Sequence, residues 1–136
     1  MRTATKNLNC GMGKNLKMND EVFALRREVM GYLYEAKNLL RAEGVQMPRV
    51  EVRITDNTGE CGHAAGMGRM GGNIIWISTM CLNRWNKHVR QVVFHELLHA
   101  VLGIHHDEKC PLMKSHFAVK PLSNKVVDEN FVKYFK

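Results

Sequence analysis

Residues 95–99 read His95-Glu96-Leu97-Leu98-His99. On a helix, two histidines four apart are separated by about 400° of rotation and roughly 6 Å of rise, so both imidazoles reach one point. A zinc ion fits there, about 2.0–2.1 Å from each nitrogen. Glu96 lies about 100° round from His95, where it reaches a metal-bound water without occupying the metal. Zinc lowers the pKa of such a water to roughly 7, and the carboxylate takes the proton as water attacks a carbonyl. The chemistry predicted is metal-assisted hydrolysis. Shuffling a chain with 7 histidines and 9 glutamates in 136 residues gives H-E-x-x-H in roughly 2 % of cases. Requiring a further histidine six residues on lowers this to roughly 0.1 %. The bland alternative, histidines on a polar helix face, conflicts with the apolar residues that would bury that face.

A catalytic zinc site needs a third protein ligand and an open position. His105, His106 and Asp107 lie just past a break at Gly103, where glycine permits the positive φ that turns the chain back. His105, six residues beyond His99, is the first choice. The offset of Gly103 would instead fit His106.

These residues need a scaffold, and the hydrophobic pattern predicts an α+β domain. A helix capped by Asn19 or Asp20 has Val22, Leu25, Val29, Leu33, Ala36 and Leu40 on one stripe and stops at Gly44 and Pro48. Val50, Val52 and Ile54 alternate with Glu51, Arg53 and Thr55 as a half-buried strand. Residues 56–72 read as a glycine-rich loop, and Ile74–Ile77 as a buried strand. Gly66, Gly68 and Gly71 match G-x-G-x-x-G, but a strand follows them where a dinucleotide site needs a helix. The motif helix is predicted from about Asn83 to Gly103, and a last helix from about Asn124 to Phe135, with Val127, Phe131 and Tyr134 facing in. Residues 1–18 lack periodicity and read as a loose arm before a single domain at 19–136.

His95-Glu96-x-x-His99-x-x-x-Gly103-x-His105, followed by Met113, resembles the metzincin clan of zinc proteases. In that clan three histidines bind zinc, the glutamate is the base, and a methionine turn lies beneath the metal. Cys110-Pro111-Leu112-Met113 stands where matrixin-like members carry that turn, eight residues after the third histidine if that residue is His105. Asn73–Ser78 is similar to the sheet edge along which their substrate lies as an added strand. The resemblance implies a zincin-like fold, one catalytic Zn2+ held by His95, His99 and His105, and peptide hydrolysis with Glu96 as base. The glycine comes one residue later than the metzincin pattern, which is closer to the WLM-type proteases. Those are related to the SprT group and act on proteins cross-linked to DNA. The resemblance covers about residues 72–113.

Composition sets the remaining bounds. A chain of 136 residues that is 45 % hydrophobic and 24 % charged has room for one modest core. The start is polar, without an apolar signal region, and no apolar run is long enough for a membrane span, so a cytoplasmic protein with no membrane partner is predicted. The net charge of +7 is concentrated in residues 69–136, with ten bases against five acids. Nucleic acid is thus a permitted partner but not a required one, since no K/R-rich run and no aromatic interleaving is evident. Cys10, Cys61, Cys81 and Cys110 form no C-x-x-C pair and read as reduced thiols. His88 is too far along the axis to ligate and reads as a packing histidine. Cys61 with His63, and Cys10 as an inhibitory ligand, are weaker metal candidates, and His116 or Tyr134 could assist an oxyanion. The alternative to an enzyme is a non-catalytic module that keeps its metal as a structural staple. Glu96 discriminates, because a structural three-histidine site has no need of it.

Overall fold

The computed structural model describes residues 12–55, 61–65, 73–82 and 85–136, with the backbone alone at 12–19 and 63–65. The first helix, α1, spans Met12–Ala42. Leu25, Val29, Leu33, Ala36 and Leu40 are all buried, and Val22 is half-buried at the edge of the same stripe. The helix starts earlier than the sequence pattern indicates: Asn19 and Asp20 lie inside it, and residues 12–18 of the expected loose arm are helical. Leu16, Lys17 and Met18 are good helix formers, and their propensity carries the helix upstream of the polar pair. Residues 1–11 lie outside the described residues. Gly44, at φ 77°, ends the helix. Its N–H donates to Arg41 O, and that of Val45 to Leu40 O at 2.8 Å, which satisfies two terminal carbonyls.

Three strands follow: β1 at Val50–Thr55, β2 at Gly62–Ala65 and β3 at Asn73–Ser78. Their order is β1-β3-β2, with β1 parallel and β2 antiparallel to β3. The sheet is therefore small and mixed. Val50, Val52, Ile75 and Ile77 are buried. The strand β2 falls within the stretch expected to be loop. Gly-His-Ala-Ala has little strand propensity of its own, and pairing with Ile74–Ile77 makes it a strand.

The same pairing sets the cysteines. Gly62 opposite Ile77 brings Cys61 beside the chain leaving β3, where Ser78 N–H donates to Cys61 O at 2.8 Å. Cys61 and Cys81 form a disulfide, with Cα atoms 5.3 Å apart, so these two are not the reduced thiols expected. Cys110 is a free, buried thiol that donates to Asn130 Oδ1. Cys10 lies outside the described residues.

The motif helix, α2, is Val89–Leu102, shorter than expected: 3₁₀ turns occupy Thr79–Leu82 and Asn86–His88. Eleven of its fourteen residues are buried. It packs on α1, β2 and β3, and on the final helix α3, Asn124–Lys133, capped by the Ser123 hydroxyl. Phe131 of α3 meets Phe94 of α2 edge-on at 4.8 Å. Arg90 ties the three helices together. Its Nε donates to Glu35 at 3.0 Å and its Nη2 to Asp128 at 2.7 Å, with the guanidinium 4.5 Å above the Phe94 ring. Among the described residues no helix is long and apolar enough to cross a membrane.

Candidate metal centre

His95 and Glu96 are buried on α2, and His99 is half-buried one turn on. Each histidine is fixed from behind. His95 Nδ1 donates to Leu112 O at 2.7 Å, from the 3₁₀ turn Pro111–Met113, and His99 Nδ1 donates to Ile104 O at 2.5 Å. A backbone carbonyl only accepts hydrogen bonds, so Nδ1 carries the proton in both histidines and the neutral ring keeps its lone pair on Nε2. The two Nε2 atoms converge to 3.1 Å. Two zinc–nitrogen bonds of about 2.05 Å at a tetrahedral angle would set them about 3.3 Å apart. Burial pushes the His95 pKa down to about 4, with the neighbouring His99 and His106 charges acting in the same direction against the bond to Leu112 O. The ring is neutral at pH 7, the form that ligates.

The third imidazole is that of His106. Its ring stacks 5.3 Å from His95 and lies 4.9 Å from His99, and one nitrogen of each of the three falls within 4.8 Å of the others. The first choice from sequence, His105, is exposed and does not join this cluster. The reason is the exit from α2. Gly103, at φ 65°, reverses the chain and aims the Ile104 carbonyl at His99. From the irregular segment after Gly103 the His106 ring reaches the cluster, and His105 stays outside it. The pattern Gly103-x-x-His106 carried that signal. Asp107 is engaged in the turn: its N–H donates to Met113 O, and its carboxylate accepts from Lys109 N–H and, at 3.4 Å, from the Tyr134 hydroxyl.

Glu96 Oε2 lies 4.0 Å from His95 Nε2, beside the convergence point. Strand β2 crosses directly over it. A Cβ on Gly62 would stand 2.9 Å from Glu96 Cγ and 3.0 Å from its Oε2, so glycine is what allows this approach. On another side the Phe117 ring meets His95 edge-on at 5.1 Å. Sequence reasoning singled out neither Gly62 nor Phe117.

The other candidates separate cleanly. Met113 is fully buried and its turn supplies the carbonyl of Leu112 that holds His95. His88 is a buried packing histidine whose Nε2 donates to Ala118 O, outside the cluster. Cys61 is committed to its disulfide and so is not a ligand beside His63. His116 is exposed on Ser115, and Tyr134 is bonded to Cys110 and Asp107, which raises its pKa. Asn73–Ser78, expected at the sheet edge, is the central strand: residues 74–77 are bonded to β1 on one side and β2 on the other. Among the described residues the edge nearest Glu96 is β2. No protein-family model, no curated protein and no solved structure matches the chain.

Proposed function

We propose that this chain is a zinc-dependent endopeptidase with a metzincin-like site. The observation that carries the reading is the convergence of His95, His99 and His106, two of them oriented by backbone carbonyls, with a carboxylate alongside. Three imidazoles suit zinc, and they would leave a fourth position for water or substrate. Zinc bound there supplies Lewis acidity toward a carbonyl and lowers the pKa of water. Glu96 accepts the proton of the attacking water and passes it to the leaving amine. Its burial beneath Gly62 limits competing solvent. The peptide backbone adds to the edge of the described sheet at β2, in place of the Asn73–Ser78 edge read from sequence.

The test joins metal content to activity. Elemental analysis of unchelated protein is expected to give one zinc per chain. Glu96→Gln should keep that zinc and lose about 10²–10⁴-fold in peptide cleavage, because the amide cannot accept the proton. His106→Ala should release zinc, while His105→Ala keeps it. Unchanged cleavage in Glu96→Gln would reject the catalytic reading in favour of a structural staple. Zinc lost from His105→Ala and kept in His106→Ala would reject the ligand set.

A further inference from the structure

The outer face of α1 carries a second pattern, unrelated to the metal centre. Phe23, Met30 and Lys37 are seven residues apart, and so are Arg27, Tyr34 and Arg41, four residues further on. At about 100° per residue the two rows fall within an arc of roughly 80°. All six side chains are exposed, with Phe23 and Tyr34 each 63 % and Met30 42 % accessible. Three large apolar side chains in one stripe are more than the scattered singles of an ordinary surface. Among the described residues the side chains of Arg27, Lys37 and Arg41 make neither an ion pair nor a hydrogen bond. Three of the four acids of the helix, Glu21, Glu28 and Glu35, form another row outside this arc, and Asp20 stands about 20° beyond its edge. Glu28 and Glu35 face inward partners, Tyr32 and Arg90.

Gly31 lies in mid-helix beside Arg27, about 40° beyond the edge of this arc. A Cβ there would meet nothing within 4 Å, and its φ is not positive. Glycine in a helix interior costs roughly 0.5–1 kcal/mol relative to alanine, and nothing among the described residues requires it. What a glycine permits at such a point is close approach of another backbone.

We propose that this face of α1 is a docking site for an acidic amphipathic helix of a partner protein. Phe23, Met30 and Tyr34 are the apolar anchors, at the spacing by which one helix lies along another. Arg27, Lys37 and Arg41 flank them and select acidic side chains. A second copy of this chain is the wrong occupant, since pairing α1 with α1 sets these three bases against themselves.

The probe is a dye-labelled 21-residue helical peptide with leucines on one face and glutamates flanking them, compared with a lysine-flanked twin. Both are titrated against the full chain by fluorescence anisotropy. The glutamate peptide should bind at least about tenfold tighter at low salt, since exposed ion pairs each add up to about 1 kcal/mol, and the difference should shrink at high salt. Phe23→Ser with Tyr34→Ser should lose most of the binding without lowering the melting temperature, because neither side chain is in the core. Gly31→Ala should melt higher yet bind more weakly. Equal binding of the two peptides, or binding unchanged by the serine pair, overturns the proposal. So does a dimer in sedimentation that the serine pair dissolves, or displacement of the peptide by a single-stranded oligonucleotide.

Discussion

Replacing Gly62 by alanine adds one methyl group at the point where β2 passes over the Glu96 carboxylate. The new carbon would stand 2.5 Å from Val92 Cγ1, 2.9 Å from Glu96 Cγ and 3.0 Å from Glu96 Oε2. Carbon pairs settle at about 3.5–4.0 Å, so the Val92 contact alone demands roughly 1 Å of movement. Val92 and Glu96 both belong to the buried helix α2, and Cys61 next to Gly62 is tied to Cys81. Neither side yields easily, and overpacking of this kind costs about 1–3 kcal/mol. The softest element is the Glu96 side chain, which should swing away from the histidines. A misplacement of about 1 Å at a reacting group costs on the order of 10²-fold in rate. The assay is cleavage of a quenched fluorescent peptide, with zinc content and melting temperature measured on the same sample. Gly62→Ala should retain zinc, melt lower and lose about two orders of magnitude in kcat/KM. A variant that melts and cleaves like the parent would refute the claim that the glycine is there for Glu96.

Further outcomes are expected. Cys61→Ser should cost about 3 kcal/mol by the loop-closure argument for a separation of 20 residues, read as a lower denaturant midpoint that reductant reproduces in the parent. The metal-free chain should lose stability as pH falls below about 6.5, the unfolded value for histidine, with the loss complete near the folded value of about 4. The unfolded state binds the extra proton in that window, and the His95 term amounts to roughly 3 kcal/mol at most in a urea titration across pH. Arg90→Leu should destabilise by about 2–4 kcal/mol in the same assay, since it leaves Glu35 and Asp128 unpaired between helices.

The elements with a strong period were legible in the sequence. The stripe from Leu25 to Leu40 is buried as its spacing requires, and Val50–Thr55 and Asn73–Ser78 are strands. The motif His95-Glu96-x-x-His99 fixes its own geometry, because a helix leaves four-apart side chains no other arrangement. The features that depend on contacts distant in sequence were not legible. Gly62–Ala65 is a strand only because β3 is beside it. Once β2 is in place, β3 becomes the central strand and Cys61 meets Cys81. The third histidine turned on a single residue of register. That register is set by where α2 stops at Gly103 and by the bond from His99 to Ile104; the offset of Gly103 pointed to it, and the six-residue step from His99 outweighed that signal.

The enclosure of α2 has a consequence for timescales. Its amides are sheltered by α1, α3 and the sheet, so they belong to the part of the molecule that opens only when the whole domain does. His95 and His99 therefore keep their places for the lifetime of the fold. His106 lies on exposed chain beyond the helix, where opening is local and fast. Ligand exchange at the centre should accordingly begin with His106 swinging out, leaving a two-histidine half-site standing. Capture and release of the ion would then proceed without unfolding, at a rate governed by the segment from Gly103 to Cys110 rather than by global stability.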